Sequence, residues 1–188
     1  MSLYEKLLGR AEAGRPVTLG VVGAGQMGLG LVCQLEPLPW FLVTGVADID
    51  IDRARAAYRS AGLPDDAVVE VDDLPAAERA HAAGRRIVTR SAELLANVRF
   101  NEAIVDATGV PETGAVVAEA AIRGRQHVVM LDVEADVTVG RALKRMADEA
   151  GVIYSASAGD EYAPAKELVD FARTLGFGVI CAGKGKNN

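Results

Sequence analysis

The sequence predicts an α/β fold of the Rossmann type: a doubly wound, mostly parallel sheet with helices on both faces. Three observations carry that expectation. Short runs of β-branched and small apolar residues alternate with stretches of helical period along most of the 188 residues. The first run, residues 17–22, passes directly into Gly23-Ala24-Gly25-Gln26-Met27-Gly28 and then into an apolar pattern of helical period, so strand, tight turn and helix follow one another. Asp48 follows Gly28 by 20 residues, at the end of a second strand-like run. An acidic residue at that offset accepts hydrogen bonds from adenine-ribose hydroxyls in dinucleotide-binding folds.

The glycines of the turn have separate tasks. Gly23 lets the chain reverse sharply, Gly25 removes the side chain where a pyrophosphate approaches the backbone, and Gly28 lets the helix pack closely on its strand. The helix start offers free N–H groups and a positive dipole end to the phosphates. Gln26 and Met27 complete this coenzyme-binding turn, and the Met27 side chain reads as packing, like Trp40. A glycine-rich turn that only packs a helix on a sheet is the competing reading.

The remaining elements follow in order. Leu3, Leu7 and Leu8 at helical spacing predict a lead-in helix over 2–13, ended by Gly14 and Pro16. Pro37 and Pro39 stop the helix after the glycine turn at Glu36. A strand at 41–47 leads to a helix with an acidic start over 50–58. Between 62 and 85 the pattern weakens to a short strand at 68–71 and a helix at 75–83, where Pro75 suits the first turn. Residues 86–89 form a strand and 91–95 a short helix capped by Ser91. A buried strand at 103–107, a turn at 108–112 and a helix at 113–123 closed by Gly124 come next. They are followed by a strand at 127–131, a helix at 139–150 closed by Gly151, a strand at 152–155, a helix at 164–175 and a final strand at 178–182. Ligands of such a sheet lie beyond the carboxyl ends of its strands.

Composition bounds the function. A chain that is half hydrophobic and 24% charged is a globular protein of one domain, spanning 1–188. A net charge of −6, with Arg85-Arg86 as the nearest thing to a basic cluster, argues against a nucleic-acid partner. The mixed, charged N-terminus is not a signal peptide, and no run approaches membrane-spanning length, so the expected location is cytoplasmic with no membrane partner. Cys33 and Cys181 lack CxxC spacing and read as buried thiols in a reducing compartment, and no metal site is expected. The chain stops at Lys184-Gly185-Lys186-Asn187-Asn188 directly after the predicted last strand, which suggests a fragment of a longer protein.

The stretches GAGQMGLGL from Gly23, VDATGVPETGA from Val105, HVVMLDVEADVTVG from His127, and AGDEYAPAKELVDFARTLGF running on to AGKGKNN cover most of the chain outside 61–95. On these stretches the sequence resembles the coenzyme-binding part of homoserine-dehydrogenase-like oxidoreductases. More narrowly, it resembles the 1-deoxy-D-xylulose 5-phosphate reductoisomerase-like (DRL) family. The resemblance implies an NADPH-dependent oxidoreductase, in its best-known members acting on a phosphorylated deoxy-sugar of isoprenoid precursor synthesis. It also implies a catalytic and dimerising region after the coenzyme domain, and hence a homo-oligomeric full-length protein. Asp132 departs from the pattern, standing where relatives carry an amide residue.

The partners expected are a dinucleotide coenzyme and a small-molecule substrate. Asp48 favours NAD(H), since its carboxylate repels a 2′-phosphate, whereas Arg53 and Arg55 in the next helix offset that repulsion and admit NADP(H). Solvated arginines pairing with Asp50 and Asp52 are the alternative. The residues alone lean to NAD(H), and the resemblance leans to NADP(H). Thr108, Gly109, Val110 and Pro111 form a loop whose backbone can face the nicotinamide ribose or can be a structural turn, and Asp106 before it reads as a turn acceptor. Asp132, Glu134 and Asp136 alternate, so an extended backbone places the three carboxylates on one side, where they could bind a cation or a substrate hydroxyl. Asp136 is better explained as a helix cap, leaving Asp132 and Glu134 as catalytic candidates, Glu134 favoured by its place in the family-like stretch. Asp160 and Glu161 either face the same crevice or start the helix that follows, the helix start being favoured. Lys184 and Lys186 are catalytic candidates too, as ammonium groups that stabilise an alkoxide during hydride transfer or pair with a substrate phosphate, with a flexible basic terminus as the alternative. His81 and His127 lack partners for acid–base work. A non-catalytic, dinucleotide-sensing module is the alternative to an enzyme.

Overall fold

A computed structural model describes residues 2–157 and 162–183. The chain divides into two compact units, Met1–Ala156 and Ser157–Asn188. The first holds seven strands: β1 (Val17–Val22), β2 (Phe41–Ala47), β3 (Val68–Glu70), β4 (Arg86–Thr89), β5 (Ala103–Asp106), β6 (His127–Met130) and β7 (Tyr154–Ala156). All pair in parallel, in the order β3-β4-β2-β1-β5-β6-β7. Strand order reverses at β1, with β2 on one side and β5 on the other, so a crevice opens above the carboxyl ends of β1 and β5.

Helix α1 (Leu3–Glu12) precedes β1, and α2 (Gln26–Leu35), α3 (Ile51–Ser60), α4 (Leu74–Ala82), α5 (Ala92–Asn97), α6 (Pro111–Arg123) and α7 (Val133–Ala150) connect the strands. Alternation along each strand splits the core into two layers. Val21, Val46, Val88 and Val105 face Val32 of α2 and Ala54, Ala57 and Tyr58 of α3. Their neighbours Val22, Ala47, Ile87 and Ile104 face Leu95 of α5, Val117 and Ile122 of α6, and Leu143 of α7. Both faces of the sheet are therefore covered, as a doubly wound parallel sheet requires.

Local chemistry sets the helix starts. Ser2 and Glu5 form a capping box on α1, and Asp50, Asp73, Ser91 and Asp132 cap α3, α4, α5 and α7 through their side chains. Two boundaries differ from expectation for this reason. The last helix of the first unit begins at Val133 rather than 139, because Asp132 Oδ1 accepts the Ala135 N–H and starts the helix six residues earlier. Pro111, at the first helical position, likewise starts α6 two residues before 113. Gly151 closes α7 with φ +72, and the Val152 N–H is spent on the Ala147 carbonyl, so β7 begins only at Tyr154.

The second unit holds α8 (Tyr162–Thr174), ended at Gly176 with φ +85. The strand expected over 178–182 does not form: residues 177–183 are irregular and Cys181 is exposed rather than buried. Gly178 and Gly183 bracket only four residues there, too few to hold a strand without a ladder partner. Among the described residues no helix is long and apolar enough to cross a membrane.

Candidate functional site

The crevice above β1, β2 and β5 is a cleft of about 370 Å³. Its floor is the glycine turn. Gly23 has φ +92, and a Cβ there would lie 2.6 Å from the Ala107 carbonyl oxygen, so the turn presses against the chain leaving β5. A Cβ at Gly28 would lie 1.8 Å from the Gly23 carbonyl oxygen, so the first turn of α2 folds back on the loop that feeds it. At Gly25, by contrast, a Cβ meets nothing within 4 Å. The position opens into the cleft, and Gly25 caps α2 without a side-chain hydrogen bond, leaving the first-turn N–H groups for a phosphate. Gln26 and Met27 lie exposed on that turn, and Met27, at 66% exposure, does not pack as expected. Trp40 does pack, edge-on against Tyr4 with ring centroids 5.7 Å apart.

One wall comes from the ends of β2 and β4. Asp48 Oδ2 accepts the Ala24 N–H at 2.7 Å and its Oδ1 accepts the Asp50 N–H at 2.8 Å, while the Asp48 N–H donates to the Thr89 carbonyl. The carboxylate thus braces the glycine turn, and each oxygen keeps a lone pair for a further donor such as a ribose hydroxyl. Arg53 lines the same wall and pairs with Asp50 at 3.4 Å. Arg55 points elsewhere, to Glu70 at 3.3 Å. Arg90, which sequence reasoning did not single out, also lines the cleft, its guanidinium 3.4 Å from the Ile49 carbonyl and 3.9 Å from Glu70. Its signal was position: the residue just past a strand, at the end where ligands collect.

The opposite wall is the loop after β5. Thr108 Oγ1 donates to Asp106 Oδ1 at 2.9 Å and accepts the Val110 N–H at 3.2 Å. Gly109 has φ +63, and Thr108, Val110 and Thr113 face the cleft. Asp106 is therefore a turn acceptor, as expected, yet it is fully buried. Burial pushes its carboxyl from 3.8 up to about 6, against the stabilising hydrogen bonds from Thr108 and with a smaller contribution from the Asp132 charge.

The carboxylate row does not form. Residues 133–136 are helical, so Asp132, Glu134 and Asp136 do not share an extended face. Asp132 is 2% exposed and caps α7, Glu134 is exposed on its first turn, and Asp136 accepts the Tyr154 hydroxyl at 2.8 Å. Among the described residues no group of three or more His, Cys, Asp or Glu is arranged to hold a metal ion. Lys184, Lys186, Asp160 and Glu161 lie outside the described residues. His81 stacks on Phe100 and His127 Nδ1 accepts the Ile153 N–H, both structural contacts. The ionisable side chains lining the cleft are thus Asp48, Arg53 and Arg90, a set suited to binding and orienting a polar ligand.

No family model and no curated protein matches the chain. Solved structures do. The WlbA dehydrogenase from Bordetella pertussis, in complex with NADH and UDP-GlcNAcA, is 19% identical with a TM-score of 0.54 over 86% of this chain and 44% of its own. GenD2 from gentamicin A biosynthesis, in complex with NAD, is 20% identical with a TM-score of 0.54 over 84% and 40%. The apo scyllo-inositol dehydrogenase from Lactobacillus casei is 14% identical with a TM-score of 0.55 over 84% and 42%. The chain therefore has the Rossmann-like fold of these dehydrogenases and spans less than half the length of each.

Proposed function

We propose that this chain is the coenzyme-binding module of an NAD(P)-dependent oxidoreductase. The observation that carries the reading is the bond from the Ala24 N–H to Asp48, which joins a side-chain-free phosphate cradle to a ribose-reading carboxylate inside one cleft. A pyrophosphate fits over Gly25 at the start of α2, the adenosine half beside Asp48, and the nicotinamide half toward Thr108, Gly109 and Val110. The hydride chemistry would belong to the coenzyme; these residues bind and orient it.

Two cations beside Asp48 support NADP(H) as the coenzyme. Arg53 and Arg90 line the adenosine wall, and guanidinium groups there suit a 2′-phosphate. The resemblance to the DRL family points the same way. It extends the proposal to reduction of a small polar substrate, phosphorylated as 1-deoxy-D-xylulose 5-phosphate is. On this reading residues 1–188 belong to a longer, homo-oligomeric enzyme, with Lys184 and Lys186 as its candidate catalytic cations.

Calorimetric titration of the chain with NADPH and with NADH tests the reading. Saturable binding of either, lost in Gly25→Val, is the expected result, with NADPH the tighter. A folded chain that binds neither overturns it.

A further inference from the structure

Asp106 ends β5 and Asp132 follows β6 on the neighbouring strand, with the Leu131 N–H bonded to the Asp106 carbonyl between them. Both side chains are buried, at 0% and 2% exposure, and in each one oxygen is satisfied and the other is not. Asp106 Oδ1 takes the Thr108 N–H and hydroxyl, and Asp132 Oδ1 takes the Ala135 N–H. Among the described residues neither Oδ2 has a donor. Asp106 Oδ2 is walled by α6: a Cβ on Gly114 would lie 2.6 Å from it and 3.3 Å from the Ala135 Cβ of α7. A buried carboxylate oxygen without a donor, with the charge of a second carboxylate acting on it, favours taking up a proton at Asp106.

We infer that Asp106, backed by Asp132, is a proton-linked positioning residue for the loop at Thr108: ionised, it holds Thr108 and through its hydroxyl seats Val110 at the cleft, and protonation weakens that hold. The chemistry is uptake of one solvent proton on Asp106 Oδ2, which removes one negative charge and makes Oδ1 a poorer acceptor. The upward displacement of the Asp106 carboxyl to about 6 places the event within reach of ordinary buffers. Asp132 is the charged neighbour that acts on it. Elsewhere around it, Glu112 of α6 and Glu134 of α7 are exposed, Asp136 is bonded to Tyr154, and the β1 residue paired with Asp106 is the apolar Val22. The consequence for coenzyme affinity rests on the function proposed above; the consequence for the loop does not.

The test follows the Thr108 and Val110 amide resonances of the full chain from pH 4.5 to 8, with NADH titrations at the same pH values. NADH serves because it lacks the 2′-phosphate, a group that itself titrates near pH 6. Both amides are expected to shift with one midpoint near 6, and NADH affinity to fall about three- to tenfold from pH 7 to pH 5, within the one-proton limit of tenfold per pH unit. Asp106→Asn, which keeps the Oδ1 acceptor and cannot ionise, removes both effects. Asp132→Asn moves the midpoint down by removing the neighbouring charge, and Thr108→Val moves it up by removing a donor to the carboxylate. A Thr108 shift absent from the native chain, or unchanged in Asp106→Asn, overturns the inference, and so does NADH affinity that ignores pH while Thr108 titrates. If Thr108 titrates as expected but NADH and NADPH bind at no pH, the loop linkage stands and the coenzyme reading falls.

Discussion

Asp48 Oδ2 and the Ala24 N–H, 24 positions apart in sequence, are joined by a 2.7 Å hydrogen bond across the ends of β1 and β2. The acidic residue thus shapes the glycine turn before any ligand arrives. Asp48→Ala removes the acceptor for both Ala24 and Asp50, and is expected to cost about 1–3 kcal/mol of stability, chiefly by leaving the part-buried Ala24 N–H unpaired. Urea unfolding measures that cost. The same variant should lose at least about tenfold in NADH affinity, the loss of charge-assisted bonds to a ribose.

Gly25 and Gly28 separate binding from folding. Gly25→Val should stay folded, about 1 kcal/mol less stable for its poorer N-cap, since its side chain enters open space, and lose coenzyme binding by filling the cleft. Gly28→Ala forces a Cβ into the Gly23 carbonyl and should destabilise by about 3 kcal/mol or more. Thermal unfolding and calorimetry of the two variants distinguish these outcomes.

Arg53 and Arg90 should discriminate between coenzymes. Arg90→Ala is expected to weaken NADPH about five- to twentyfold, equivalent to about 1–2 kcal/mol, while NADH changes little. Equal losses for both coenzymes would sink the assignment of Arg90 to a 2′-phosphate.

Burial of Asp106 makes stability depend on pH in a direction opposite to that of a salt-bridged carboxylate. Its folded value, about 6, lies above the 3.8 of an ordinary aspartate, so the folded state holds the proton more tightly than the unfolded chain does. That contribution is complete below pH 3.8 and is lost as pH rises through 6; the whole displacement corresponds to about 3 kcal/mol. Asp106→Asn should remove this dependence, so that between pH 5 and 8 the variant gains on the native chain, as read by Tm in matched buffers.

Arg125, exposed and following α6, has φ +60, a conformation that favours glycine. Its N–H still completes the helix end on the Ile122 carbonyl. Arg125→Gly should stabilise by about 1 kcal/mol by removing the left-handed penalty, read as a higher denaturation midpoint.

What was legible in the chain was local or set by short-range spacing. The glycine turn, Asp48 and the Asp106-Thr108 turn are readable because each is built by neighbours in sequence or by one strand–helix–strand unit. Arg90 was not, because its place in the cleft depends on β4 lying beside β2, a pairing no local pattern records. Asp132, Glu134 and Asp136 misled because a capping aspartate followed by acidic first-turn residues alternates in the same way as an extended segment. The irregular stretch at 177–183 shows the same limit from the other side, since an apolar run becomes a strand only where another strand can pair with it.

The register of β1 against β5 has a consequence for how this chain is made. Val22 aligns with Asp106, so on a ribosome the central strand would acquire β2 early and wait more than eighty residues for its other neighbour. During that interval one edge of the central strand is bare, and the two walls of the cleft do not yet coexist. Pairing of β5 brings the two walls together before β6 and β7 are added, and the cleft lining ends at Thr113, so a bound dinucleotide would favour chains that have passed this point over every shorter intermediate.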